Sequence, residues 1–316
     1  MRALASPASL KGVLSAVEAA ALLARGLERG GADAEALPVA DGGEGTAEVI
    51  GGETRQAVVS DPLGRPVTAS WVVRRDGTAV VDSAAALGLP LLSPAERDPL
   101  RASSSGLGEL LLAVLAERPA AVVVGVGGTA TVDGGAGLRA VLPRWPGGVP
   151  LRVACDVRSP LLDAARVFAP QKGAGPAEVA ELERRLAADR VLAPYAELPG
   201  AGAGGGLGAA LASLGGELVE GAQLVLDLVG FDEHARGADL VVTGEGTVDA
   251  TTFAGKAPGA VAARCERLGV RCVLFGGRVS EQVAGAHAQL RPLSGDPGRA
   301  RADLLALGEE LARSSS

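Results

Sequence analysis

The sequence has no asparagine, a single isoleucine (Ile50), one methionine, one tyrosine and only three lysines among its 316 residues, and aromatic side chains make up 2% of it. It also lacks any apolar stretch of 18 or more residues, and Lys11, Glu18, Arg25 and Glu28 interrupt its opening segment. A membrane span or a secretory apolar region is therefore not expected, and a cytoplasmic protein is. Cysteine is scarce: Cys155, Cys265 and Cys272 are odd in number and form neither a disulfide framework nor a zinc-ligand spacing, which suits a reducing compartment. His234 and His287 are isolated, so no nucleophilic triad can be assembled. Cys155 beside Asp156 leaves a nucleophilic thiol open as the alternative to a buried structural one. No basic run occurs and the net charge is −7, so the counterion-release term that drives nucleic-acid binding is missing.

What is present is 47% hydrophobic residues and 46 glycines, ample for one large or two ordinary cores. The composition is that of a strongly GC-biased genome drifting to Ala, Gly, Arg and Val. Against that drift the lysines stand out: Lys11 in LKG, Lys172 in PQKGAG and Lys256 in AGKAPG each sit at or beside a glycine. A compact ammonium meets a single phosphate oxygen in a way a guanidinium fork does not reproduce.

The pattern alternates strand and helix. Ala3 to Ala5 leads through a loop to a helix from about Ser15, opened by the Ser15–Glu18 capping box, with Val17, Ala20, Ala21, Ala24 and Leu27 on one face and Gly30–Gly31 as its stop. A second strand, Glu35 to Val39, runs into Asp41-Gly-Gly-Glu-Gly-Thr46. Between about Gly52 and Val81 the spacing predicts antiparallel strands and turns. Alternation then resumes: a strand Ala121 to Val126, another at Val153, a strand Asp239 to Thr243, a helix Pro258 to Leu268, a strand Val270 to Phe275 and a helix Ala302 to Ala312. The predicted fold class is α/β in two domains. A doubly wound, flavodoxin- or Rossmann-like parallel-sheet domain (1–55 and 232–316) is interrupted by a larger inserted mixed α/β domain (56–231) with an antiparallel start.

Glycine-rich acidic loops follow three of these strands: Asp41 to Thr46, Gly125 to Gly135, and Gly244-Glu-Gly-Thr-Val-Asp249. Ligands of open α/β sheets bind at strand carboxyl ends, where glycine lets backbone N–H groups approach phosphate and carboxylates can hold Mg²⁺ or take a proton. Together they point to phosphoryl chemistry. Two other motifs fail: around Lys256 only the central Gly-Lys of a P-loop fits, and the glycine run Gly200 to Gly208 follows no strand, which argues against a dinucleotide fingerprint while leaving a phosphate-cradling backbone nest open.

The ordered set LKGVLSAVEAA, ADGGEGT, DPLGRPV, SSGLGELL, GVGGTATVDGGAGL, ACDVRSPLL, FAPQKGA, PGAGAGGGLGAAL and GEGTVD with AGKAPGAVA closely resembles the bacterial glycerate kinase family. The resemblance spans nearly the whole chain. It implies transfer of the ATP γ-phosphoryl group to a hydroxyl of D-glycerate with Mg²⁺, usually giving 2-phosphoglycerate, by a protein whose partners are these small molecules and which is a monomer or homodimer. Ala8, Val132 and Thr247 depart from the family pattern, which usually has Asp or Asn, Asn, and Arg at those places. On this reading Lys11 and Lys256 supply charge to substrate or γ-phosphate, and Asp41, Asp156, Glu245 and Asp249 are candidates for the base, with Glu245 and Asp249 also candidate Mg²⁺ ligands. Arg65 is expected to clamp the glycerate carboxylate, with a plain turn residue as the alternative, and Ser104 and Ser105 join it as substrate-binding candidates. Gly127, Gly128, Thr129, Lys172 and the run Gly202, Gly204, Gly205 and Gly206 are expected to hold the nucleotide phosphates.

Overall fold

A computed structural model describes residues 1–155, 157–280 and 288–314. Its strands, in chain order, are β1 (Arg2–Ala5), β2 (Asp33–Ala36), β3 (Glu53–Ser60), β4 (Pro66–Val73), β5 (Thr78–Asp82), β6 (Ala121–Val126), β7 (Leu151–Cys155), β8 (Glu217–Glu220), β9 (Leu240–Val248), β10 (Arg271–Val279) and β11 (Gln289–Pro292). The chain divides into two compact units, one of Met1–Asp41 with Ala222–Ser316 and one of Gly42–Gly221. The boundaries expected from sequence, after residues 55 and 231, both lie later than these. Helix Thr46–Ile50 belongs with the second unit, because the Gly45 and Ala47 N–H groups donate to Asp82 at the end of β5. Ala222 and Leu226 of helix Gly221–Leu228 are buried in a core of the first unit.

In the first unit all pairings are parallel and the strand order is β11-β10-β9-β1-β2. This is the doubly wound order in which the chain starts next to the middle, moves out to one edge, and returns to build the other side. Successive residues of one strand feed opposite faces. Ala3, Ala5, Val242 and Phe275 pack under helices Ala16–Arg29 and Ala300–Arg313, while Leu4, Val241 and Leu274 pack under helix Ala257–Leu268. Each such fully buried Leu, Val or Phe is worth about 1.5–3 kcal/mol relative to exposure.

The opening helix forms where expected. Glu18 N–H donates to Ser15 Oγ (3.2 Å) and Ser15 N–H to Glu18 Oε2 (3.3 Å), closing the capping box. Its buried stripe, however, runs through Ala16, Ala19, Ala20, Leu23, Ala24 and Leu27, with Val17 and Ala21 outside, because Leu23 offers the sheet more apolar surface than either of them.

The second unit holds one mixed sheet, β3-β4-β5-β6-β7-β8, antiparallel from β3 to β5 and parallel from β5 to β8. The antiparallel start is thus where the alternating pattern placed it. No helix among the described residues is long and apolar enough to cross a membrane. Cys155, Cys265 and Cys272 are free and buried; a thiol hydrogen bond to Cys272, together with burial, pushes the Cys265 thiol up.

Candidate active site

At the carboxyl ends of the first unit's strands lies a cavity of about 390 Å³. The loop after β1 brings Lys11 to its wall; β9 brings Glu245 and Thr247, β10 brings Arg278, and the amino end of helix Ala257–Leu268 brings Lys256. Because β1 and β9 are neighbours whose connections leave in opposite directions, this is the switch point at which doubly wound sheets bind ligands. Glycine keeps the wall thin: a Cβ on Gly277 would meet Gly246 O at 2.7 Å.

Sequence spacing reads Gly244-Glu245-Gly246 as a loop, but β9 continues through it to Val248. In-register pairing with β10, Gly244 with Phe275, Glu245 with Gly276 and Thr247 with Arg278, outweighs the low strand propensity of glycine. Glu245 is thereby held on rigid backbone. Its Oε1 accepts from Thr252 Oγ1 (2.7 Å) and its Oε2 from Lys256 Nζ (3.3 Å). Burial raises its carboxyl above the ordinary range, and the charge of Asp41 adds to the effect against the pull of Thr252 and Lys256. Asp249 is opposite in character. It begins the 3₁₀ turn Ala250–Phe253, accepting from Thr251 N (2.8 Å) and Thr251 Oγ1 (2.5 Å), and these hydrogen bonds hold its carboxyl below the ordinary range. A single hydroxyl joins the two acids, since Asp249 N–H donates to Thr252 Oγ1 (3.1 Å), which donates to Glu245.

The structure therefore gathers Lys11, Glu245 and Lys256 on one cavity, with Asp41 and Asp249 acting on its charges. One residue of this wall, Arg278, is not among the sequence candidates. Arg278 follows a Gly-Gly pair at the end of a strand, the one signal that could have found it, and Thr247, a departure from the family pattern, is its partner across the ladder. Among the described residues no three His, Cys, Asp or Glu side chains cluster as a metal cage.

The remaining candidates lie in the second unit. Arg65 closes the turn between β3 and β4: its Nε donates to Asp61 Oδ2 (2.7 Å), Nη1 to Glu96 Oε1 (2.6 Å) and Nη2 to Leu91 O (3.3 Å). Ser104 is buried and bonds to Asp133, which also accepts from Ser104 N–H and Gly137 N–H. Ser105 begins helix Ser105–Ala116. Lys172 is 4% exposed and donates to Thr131 O (2.8 Å) and Thr129 Oγ1 (3.3 Å), bracing the loop after β6 that carries Gly127, Gly128 and Thr129. Gly204, Gly205 and Gly206 have positive φ, as a nest requires, but the Gly205 and Gly206 N–H groups donate to Gly202 O (both 3.2 Å). Asp156 lies outside the described residues, as does His287.

Asp82, also missed, ends β5, its carboxylate accepting from Gly45 N–H (2.9 Å) and Ala47 N–H (3.1 Å). Desolvation, aided by Glu44 and Glu48, outweighs these bonds and pushes its carboxyl up to about 7. A raised folded value means the native state holds a proton that the unfolded chain has released. This group's contribution to stability is whole below about 3.8 and is lost as pH rises through about 7. Between those values stability should fall by about 1.4 kcal/mol per pH unit, roughly 2–4 °C in Tm. Thermal melts from pH 4.5 to 7 should show this slope, and Asp82→Ala should flatten it; an equal slope in the variant would refute the assignment.

The profile of the glycerate kinase family matches residues 3–144 and 139–292. The chain belongs to the glycerate kinase family. It is 37% identical over 335 residues to the glycerate 2-kinase of Escherichia coli (strain K12), covering 91% of this chain and 88% of that one. The glycerate kinase of Bacillus subtilis (strain 168) is also 37% identical, over 327 residues, with 89% and 86% covered. A crystal structure of a protein assigned as glycerate kinase 2 from Salmonella typhimurium LT2 superimposes with a TM-score of 0.84 at 31% identity, covering 100% of this chain and 98% of that one. As a member of the glycerate kinase family the chain is an ATP-dependent kinase, and its α/β fold is shared with the Salmonella structure.

Proposed function

We propose that the protein transfers the γ-phosphoryl group of ATP to the 2-hydroxyl of D-glycerate, giving 2-phosphoglycerate and ADP. The observation that carries this reading is a pair of acids, Glu245 and Asp249, four residues apart and joined through Thr252 Oγ1, whose environments push their protonation in opposite directions beside Lys256. Such a split assigns roles. Glu245, partly buried and with its carboxyl raised above the ordinary range, is suited to take the hydroxyl proton as the oxygen attacks phosphorus; the bond from the γ-phosphorus to the bridging oxygen breaks and ADP leaves. Lys256, at the amino end of a twelve-residue helix with Pro258 in its first turn, offers positive charge to the transferring group, and the helix dipole acts in the same sense.

Asp249, kept ionised, fits a Mg²⁺ that retains waters and nucleotide phosphates as its other ligands, because such an ion needs only one or two carboxylates rather than a protein cage. Glu245 and Asp41 add negative charge nearby. When bound, Mg²⁺ neutralises phosphate charge.

ADP release should be measured with D-glycerate, L-glycerate and a few other short hydroxy acids as acceptors, and the product's phosphorus spectrum recorded. D-glycerate should be the best acceptor, the product should be the 2-phosphate, and excess EDTA should abolish turnover. A better acceptor among the other acids would favour a kinase of a different hydroxy acid, and saturable binding with no ADP release would favour a binding protein.

A further inference from the structure

We infer that Arg278 binds the carboxylate of the acceptor and so sets a preference for hydroxy acids over neutral alcohols; the inference rests on the function proposed above. The arginine that the sequence points to for this task cannot perform it as placed, because Arg65 directs Nε, Nη1 and Nη2 at Asp61, Glu96 and Leu91. A fork already filled by two carboxylates has no bidentate face left for a third.

Arg278 is differently situated. It is exposed, it lines the cavity that Glu245 and Lys256 line, and among the described residues its guanidinium makes no hydrogen bond or ion pair. Lys11 is the other cation of the wall in that condition. The remaining charges there are matched: Lys256 pairs with Glu245, Asp303 accepts from Ser294 N–H (3.1 Å) and pairs with Arg299, and Asp296 caps the turn at Gly298. The wall thus has two uncompensated cations of different shape. A compact ammonium suits a single phosphoryl oxygen, whereas a planar fork suits the two oxygens of a carboxylate.

The ladder sets the spacing. Glu245 pairs with Gly276 and Thr247 with Arg278, so Arg278 stands two positions beyond Glu245 on the adjacent strand. Two steps of about 3.3 Å along the strands and one of about 4.8 Å across them place the two Cα atoms about 8 Å apart, with side chains on the same face of the sheet. Between an acid that takes a hydroxyl proton and an arginine that holds a carboxylate, this leaves room for a short hydroxy acid whose two functions sit on adjacent carbons.

The test uses the full chain and three variants: Arg278→Ala, Arg278→Lys, and Arg278→Ala combined with Thr247→Arg, which offers a guanidinium from the neighbouring ladder position. Steady-state kinetics with D-glycerate, and calorimetric titration of D-glycerate without nucleotide, are read beside thermal melts. Arg278→Ala should raise KM for D-glycerate roughly 10- to 150-fold, the worth of a charged hydrogen-bonded pair, with KM for ATP unchanged within about twofold and Tm unaltered. It should also erase the wild type's preference for D-glycerate over glyceramide. Arg278→Lys should recover part of the loss, and the double variant more. An unchanged KM for D-glycerate in Arg278→Ala would overturn the inference while leaving the kinase reading intact. A rise in KM for ATP alone would overturn it in favour of a phosphate contact. If the wild type neither binds nor phosphorylates D-glycerate, the proposed function falls first and this inference with it.

Discussion

Glu245→Gln should lower kcat by about 10²- to 10⁴-fold while leaving the fold intact, the range expected when a positioned general base is removed. The substitution is nearly isosteric, so Thr252 Oγ1 retains an acceptor, and Lys256, whose side chain is 31% exposed, can be hydrated in place of its lost partner. What disappears is proton affinity. In the wild type kcat/KM should rise with pH through the raised carboxyl of Glu245, and in the variant that limb should be gone. Asp249→Asn makes the contrast: it removes an ionised group instead of a base, so it should raise the Mg²⁺ concentration required more than it lowers kcat at saturating metal. A Glu245→Gln enzyme with kcat within threefold of wild type would show that the proton goes elsewhere.

The second large effect concerns stability. Gly205→Ala should cost about 3–5 kcal/mol and lower Tm by roughly 10 °C or more. Gly205 has φ of +78°, where a Cβ is strained, and that Cβ would stand 2.1 Å from Thr131 O and 2.7 Å from Val132 Cα. Neither neighbour can rotate aside, because both contacts are with backbone atoms of the loop that Lys172 also braces. Gly147→Ala is the control: nothing lies within 4 Å of its Cβ, and its effect should stay within about 0.5 kcal/mol. Equal melting temperatures for the two variants would mean that the second unit relaxes around a side chain at position 205.

Local structure is legible in the sequence where a short-range device writes it. The capping box at Ser15 and the Asp61–Gly64 turn are of this kind. Elements were missed where the signal is long-range. Strand β11 has four residues, none fully buried, and exists because Gln289 to Pro292 pair in register with Val273 to Gly276. Strand β8 and helix Gly221–Leu228 were likewise unread, and β2 lies at Asp33–Ala36 instead of Glu35 to Val39. The site divides in the same way. Glu245 and Lys256 are eleven residues apart and meet. The acid that occupies Arg65 comes partly from Glu96, 31 residues downstream, a pairing no local pattern announces. Asp82 reads as the end of an ordinary buried strand; only the approach of Gly45 and Ala47 gives its carboxylate a distinct chemistry.

The parallel order β11-β10-β9-β1-β2 carries a kinetic consequence. Strand β1 is an inner strand of its sheet, yet one of its two neighbours, β9, begins at Leu240, and the Arg2 N–H donates to Asp239 across 237 residues of chain. At 5–20 residues per second a ribosome needs roughly 10–50 s to make the intervening stretch. Throughout that interval β1 and β2 have no completed sheet, while residues 42–221, which carry all the strands of their own unit, are made before β9. The second unit can therefore fold during synthesis, whereas the first must wait and then close a loop of more than two hundred residues, the kind of non-local pairing that slows folding most. Slowing translation after residue 221 should prolong the exposure of Leu4 and Leu10, and chaperone dependence should be greatest in that window.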